Sequence, residues 1–219
     1  MDKMIGKNLR DITRTCIVAL RDGNRIFMGA DSQISFGSGR KHPVARPKVW
    51  QKDEALYGGT GDVRPIQVME YACIMPKPFE TQELYSFLVN NFVNEVRTTM
   101  KNSGCLHHRS GLIENDGVEF MDALFLIAYK KKIFLLTHNF AIAEYAEGYG
   151  AAGSGEEFAY GSLKATENSE IKPLKKVHMA LEAASQFNSG VSGPFDVICM
   201  EWKDNGDIVY YNKEDTKKL

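Results

Sequence analysis

The order in which strand-forming and helix-forming segments alternate constrains this chain more than any single motif. Residues 15–20 are rich in β-branched side chains, Asp22-Gly23-Asn24 is a turn signal, and residues 25–30 supply the return strand. That hairpin ends at Asp31. Residues 32–46, with Ser, Gly and basic residues, read as a loop, and residues 48–51 and 55–57 suggest a second hairpin around Lys52-Asp53. Two helices follow. Asp62 suits an N-cap and Pro65 an opening turn, and Pro76 and Pro78 end the first helix. The second runs over about 81–100, where Leu84, Leu88, Phe92 and Val96 recur every four residues and line one face. Residues 101–118 are polar and read as a loop. Strands resume at 120–129 and 133–137, joined by a lysine-rich turn, and a further strand pair is expected at 141–144 and 149–152. Two more helices, near 156–165 and 174–187, precede a closing hairpin of residues 195–202 and 207–211.

Runs of strands separated by pairs of helices argue against a doubly wound parallel sheet. They favour antiparallel sheets with helices packed outside, an α+β class. A four-layer α-β-β-α sandwich accommodates the order, although the pattern alone does not single it out. A chain of 219 residues suits one domain and buries a core without covalent staples. Cys16, Cys73, Cys105 and Cys199 are far apart and form no CxxC pair, as expected for reduced thiols in a cytoplasmic protein. A net charge of −1 gives no electrostatic case for nucleic acid or an acidic membrane surface. No apolar run has the length of a membrane span, and residues 1–14 lack the apolar stretch of a secretory signal.

Five short stretches carry the chemistry: Thr15-Cys16-Ile17-Val18-Ala19-Leu20, Gly29-Ala30-Asp31-Ser32, Lys48-Val49, Tyr57-Gly58-Gly59-Thr60-Gly61-Asp62 and Gly153-Ser154-Gly155. In this order the set resembles proteasome β subunits and HslV-type peptidases. It is more similar still to small bacterial and phage proteasome-like proteins whose chains begin Thr-Cys-Ile-Val after the initiator methionine. The resemblance runs from about Thr15 to Phe195. It implies the N-terminal-nucleophile (Ntn) hydrolase sandwich, with residues 15–219 as one domain and residues 1–14 as a propeptide or extension. It also implies the roles. Thr15 is the nucleophile, Asp31 the family aspartate, and Lys48 the lysine beside the threonine hydroxyl. Gly58, or alternatively Gly59, presents a backbone N–H to the oxyanion. Ser154 lies near the threonine amine, and Ser189 matches a further family serine. Gln186 stands where that serine's aspartate is expected, and Arg14 stands where the family's propeptides usually end in glycine.

The implied activity is hydrolysis of amide bonds in peptides or unfolded proteins, with no cofactor or metal. The implied assembly is a homo-oligomeric ring. Any ATPase unfoldase must be a separate partner, because the chain has no GxxxxGK[ST] of its own. The chemistry is physically coherent. A threonine hydroxyl needs a general base, and a free α-amine with a pKa of about 7.7–8.0 is one. A lysine cation favours the neutral amine and the alkoxide. A backbone donor at a glycine contributes about 2.7–4 kcal/mol to an oxyanion. All of this requires self-cleavage of the Arg14–Thr15 bond; until then the threonine hydroxyl is expected to have no base beside it.

Competing readings attach to the same residues. Cys16 is a rival nucleophile one residue off register. Arg14 and Gln186 favour an unprocessed, noncatalytic subunit, and a small-molecule amidase would share the architecture. Gly148 to Gly153 fits GxGxxG, with Glu167 and Glu170 near the distance of a ribose contact, yet no βαβ units surround it. Cys105, His107 and His108 lack a second ligand pair for zinc. Arg40, Lys41 and Arg46 form a basic loop that is either solvated or lines a substrate pocket.

Overall fold

The computed structural model describes residues 14–35, 41–43, 45–109, 118–216 and 218–219. The first expected hairpin is β1 (Cys16–Asp22) and β2 (Arg25–Asp31). Residues 32–46 are not simply a loop, because β3 (Gln33–Ser35) and β4 (Lys41–Pro43) pair as a small antiparallel ribbon. Its polar sequence carries no apolar alternation by which to find it. The second hairpin is β5 (Val49–Lys52) and β6 (Ala55–Gly61). Helix α1 (Val63–Tyr71) stops before Pro76. Asp62 occupies its N-cap position without a side-chain bond to the helix, and its N–H donates to Asp122 O at 2.7 Å.

The second expected helix has three contiguous pieces. Helix α2 (Leu84–Phe87) is capped by the Glu83 carboxylate, a π-helical turn spans Leu88–Phe92, and α3 (Val93–Asn102) follows. Leu88, Phe92 and Val96 of the expected face are buried. Within residues 101–118 the structure adds β7 (His107–Arg109), which pairs with β8 (Val118–Phe120). The strand expected over 120–129 is therefore broken. Met121 N–H bonds His138 O, and β9 (Ala123–Tyr129) starts afresh, paired with β10 (Lys132–Leu136).

Strands β11 (Ile142–Glu144) and β12 (Tyr149–Gly153) do not pair with each other as expected. They are edge strands of different sheets, and the residues between them cross from one layer to the other. Helices α4 (Glu156–Thr166) and α5 (Pro173–Phe187) precede β13 (Phe195–Trp202) and β14 (Ile208–Tyr211). A short α6 (Lys213–Thr216) was not anticipated.

Two five-stranded antiparallel sheets result, ordered β12-β1-β2-β13-β14 and β11-β10-β9-β6-β5. Three apolar layers hold them. Ile17, Ala19, Met28, Leu56, Leu126 and Ala128 fill the space between the sheets. Cys16, Val18 and Phe27 pack instead against Val177, Leu181 and Ala184 of α5. Phe125, Ile127 and Tyr129 pack against Phe87, Phe92 and Val96 on the far side. Successive residues of β1 and β9 thus serve opposite layers, as the two-residue strand period requires. Both faces of each sheet are covered, so the central strands are nearly unbroken apolar runs. No helix among the described residues is long and apolar enough to cross a membrane.

Candidate active site

Four strand ends meet at one edge of the sandwich. Thr15 directly precedes β1, Asp31 closes β2, Lys48 directly precedes β5 in the other sheet, and Gly153-Ser154 follows from β12. The β1–β2 hairpin sets Asp31 beside the start of β1, and Cys16 N–H donates to Asp31 Oδ1 at 3.0 Å. Gln33 N–H donates to Oδ2, also at 3.0 Å. Lys48 reaches across from the second sheet. Its Nζ lies 2.9 Å from Thr15 Oγ1, 3.0 and 3.1 Å from the two Asp31 oxygens, and 2.5 Å from Gln33 O. Gln33 acts through its carbonyl, a role that no side-chain pattern announces.

Thr15 is 1% exposed and the Asp31 side chain is fully buried. Burial lowers the Lys48 pKa and raises that of Asp31, and their mutual attraction offsets part of each shift. The Lys48 nitrogen thus lies beside the hydroxyl with residue 14 still attached to Thr15, where the resemblance placed it. Cys16 points into the helix layer. Burial, then the Asp31 carboxylate, pushes its thiol up to about 12, so it is a poor candidate for a thiolate nucleophile.

Thr15's carbonyl anchors the other side. Gly155 N–H and Ser154 Oγ approach it at 3.4 and 3.5 Å. Gly153 has φ +104°, and a Cβ there would stand 2.2 Å from Thr15 O, so no larger residue fits between the two strands. Gln186 is exposed on the last turn of α5, and Asn188 takes the contact instead. Its Nδ2 donates to Ser154 O at 2.5 Å, and its Oδ1 accepts from Ser154 Oγ at 3.4 Å and from Gly190 N–H at 2.9 Å. Sequence reasoning missed Asn188, which lies between Gln186 and Ser189, the two positions it considered. Ser189 meets Arg14 Nη1 at 3.4 Å.

No family model matches the sequence. Solved structures do match. Thiobacillus denitrificans BPH, a bacterial proteasome homologue solved with epoxomicin, aligns over 86% of this chain and 99% of its own, with TM-score 0.67 and 19% identity. HslV from Trypanosoma brucei aligns over 85% and 99%, with TM-score 0.60 and 17% identity. An Anbu (Gly-1) mutant from Hyphomicrobium sp. strain MC1 aligns over 93% and 90%, with TM-score 0.61 and 14% identity. The chain has the proteasome β/HslV-like Ntn hydrolase fold.

Within this proteasome-like fold the glycine pair of β6 has a steric role. A Cβ on Gly58 would come within 2.5 Å of Ile17 Cγ2, and one on Gly59 within 2.9 Å of Ile66 Cγ1, so the pair lets the layers close on both faces. Gly59 N–H donates to Lys48 O at 3.2 Å. Successive strand N–H groups point to opposite sides, so that of Gly58 points toward β9. Neither is aimed at Thr15.

The remaining motifs resolve locally. Gly148 to Gly153 leads through β12, an edge strand of the antiparallel sheet, where Gly150 makes room for the Tyr145 ring. Cys105 is buried with its thiol toward Ser103 O, and His107 Nε2 lies 3.2 Å from Asp122. The side chain of His108 is outside the described residues. Arg46 pairs with Glu70 at 2.8 Å and lies over the Tyr71 ring; Arg40 and the Lys41 side chain are outside the described residues.

Proposed function

We propose that the protein is a threonine peptidase whose nucleophile, Thr15, is freed by self-cleavage of the Arg14–Thr15 bond. One observation carries the reading: Lys48 Nζ stands 2.9 Å from Thr15 Oγ1 while Asp31 holds it. In the uncut chain the Thr15 nitrogen is an amide and has no basicity, so Lys48, which donates to Thr15 Oγ1 as an ammonium, is the group placed to accept the hydroxyl proton once it has given up a proton of its own. Its lowered pKa suits that task. Thr15 Oγ attacks the Arg14 carbonyl carbon, the new C–O bond replaces the C–N bond, and the proton ends on the Thr15 nitrogen. Water then hydrolyses the ester, giving an Arg14 carboxylate and a Thr15 with free hydroxyl and free α-amine. In turnover that amine serves as base, a peptide carbonyl takes the place of Arg14, and the same ester chemistry repeats. Ser154 orders the Thr15 end, Ser189 borders it, and a backbone N–H of the Gly58–Gly59 pair, turned from its present direction, is assigned to the oxyanion.

By analogy of fold the protein is expected to be a cytoplasmic homo-oligomeric ring acting on peptides or unfolded protein, with any ATPase unfoldase supplied separately. Epoxomicin, present in the T. denitrificans BPH structure, is the natural probe. The decisive experiment compares intact masses and hydrolysis of short fluorogenic peptides for the wild type and Thr15→Ala. The expected result is loss of residues 1–14, peptide hydrolysis and epoxomicin labelling in the wild type, and none of these in Thr15→Ala. The near-complete burial of Thr15 in the uncut chain favours a second reading, an unprocessed structural subunit. A wild type that keeps residues 1–14, assembled or not, would establish that reading and sink the peptidase.

A further inference from the structure

Arg14 lies across Gly190. A Cβ on Gly190 would stand 2.1 Å from Arg14 Cβ, 2.5 Å from Cδ and 2.8 Å from Cγ, so the arginine stem rests on bare backbone. Gly190 does not have a positive φ, so its need is for space and not for conformational freedom. At the tip, Nη1 reaches Ser189 Oγ at 3.4 Å. The platform under the stem is itself pinned. Gly190 N–H donates to Asn188 Oδ1, Val191 N–H to Asn188 O at 3.0 Å, and Gln33 Nε2 to Ser189 O at 3.4 Å. Asn188 in turn holds Ser154.

The geometry points to Ser189–Gly190 as a seat for the side chain that precedes the scissile bond, with both residues positioning that bond for self-cleavage. The inference rests on the self-cleavage proposed above. The carbon to be attacked belongs to Arg14, and its direction depends on how Arg14 is held. The Thr15 end is already fixed by the Cys16 N–H bond to Asp31 and by Lys48 on the hydroxyl. A seated stem fixes the other end, leaving few torsions free between nucleophile and carbonyl. Small misplacements of reacting groups are costly, about 100-fold for roughly 1 Å. Arginine at position 14 is therefore matched to a glycine at position 190. The match is steric, between an unbranched stem and a missing Cβ.

The test follows residue 14 release by intact mass in full-length chains. Gly190→Ala is expected to slow cleavage by about 10- to 100-fold, because its methyl group takes the place of the stem. Arg14→Lys keeps an unbranched stem and stays near the wild-type rate. Arg14→Gly removes the stem and slows cleavage severalfold. The double variant Arg14→Gly/Gly190→Ala has no stem to clash with, so it cleaves as fast as Arg14→Gly and faster than Gly190→Ala alone. A merely structural role for Gly190 would not show that rescue. Wild-type cleavage by Gly190→Ala, an undiminished rate in Arg14→Gly, or a double variant as slow as Gly190→Ala would overturn the seat. A chain released with Thr15 first from a cleavable fusion separates the two proposals. Self-cleavage at a rate indifferent to these variants, together with peptide hydrolysis by the Thr15-first chain, sinks the seat alone, whereas a full chain that never cleaves itself sinks both. If the Thr15-first chain is inert while the full chain still cleaves itself with the expected ordering of variants, the seat stands and only turnover of peptides is lost.

Discussion

Lys48→Met tests how the site is held together. It is best made in a Thr15→Ala background, so that every chain keeps residues 1–14. The substitution removes the ammonium that contacts both Asp31 oxygens and the Gln33 carbonyl, and leaves a fully buried carboxylate without its counter-ion. Breaking a buried pair from one side costs about 3–5 kcal/mol. Asp31 keeps the Cys16 and Gln33 N–H donors, which places the expected loss near the lower end, about 3 kcal/mol at pH 7. The pH dependence has a definite sign. Burial already raises the Asp31 pKa, and without Lys48 it rises further. The native state then holds a proton that the unfolded state releases, so stability falls as pH rises through that window and recovers on acidification. The deficit of Lys48→Met should therefore shrink between pH 7 and pH 4.5. Asp31→Asn/Lys48→Met, with neither charge, should be more stable than Lys48→Met alone at pH 7. Urea midpoints of the three chains at both pH values supply the numbers. A Lys48→Met chain as stable as its parent at pH 7, or a deficit indifferent to pH, would refute the reasoning.

Gly58→Ala places a methyl 2.5 Å from Ile17 Cγ2 and should cost about 1–3 kcal/mol in a denaturant melt; adding Ile17→Ala should cost less than the sum of the two single changes. Asn188→Ala removes the bonds to Ser154 O and Gly190 N–H and should slow loss of residues 1–14, followed by intact mass. Asn188→Asp can still accept from Gly190 but cannot donate to Ser154 O, so it should slow release as well. Glu201 is held down at about 2 by the Lys203 and then the Tyr211 hydrogen bond. Its contribution to stability is full above the ordinary glutamate pKa and is lost as pH falls toward 2, so Glu201→Gln should flatten the acid limb of a stability–pH curve.

The features that were legible in the sequence are those with a periodic or positional signature. The β1–β2 hairpin, the apolar face of Leu88, Phe92 and Val96, and the closing hairpin announced themselves. Thr15, Asp31 and Lys48 were found through the resemblance that their motifs carry, and the structure brings all three within hydrogen-bond reach. What escaped had no such signature. The β3–β4 ribbon is polar. The departure of β11 and β12 into different sheets depends on which layer each edge completes, a long-range property. Gln33 contributes a carbonyl that every residue possesses. Asn188 stands two residues beyond the position inspected for an acidic group. Gly58 matched a glycine with an assigned chemical role, yet its surroundings ask first for the absence of a side chain.

The same long-range property explains why the site is sensitive to the fold as a whole. Thr15 and Asp31 belong to one sheet and Lys48 to the other, so their contact exists only when the two sheets are stacked in register. A slip of β5 by one residue would carry Lys48 about 3.3 Å along the strand, farther than the hydrogen bond to Thr15 Oγ1 can stretch. Buried ion pairs are weak sources of net stability, and their best-attested use is to select one arrangement over its neighbours. Lys48 and Asp31 fit that use. The apolar layer between the sheets, with Ile17, Leu56, Leu126 and Ala128, would tolerate small shifts, whereas the pair accepts only one alignment. That alignment also places a nitrogen against the threonine hydroxyl, so the device that fixes the register of the sandwich is the same one that the proposed self-cleavage would use.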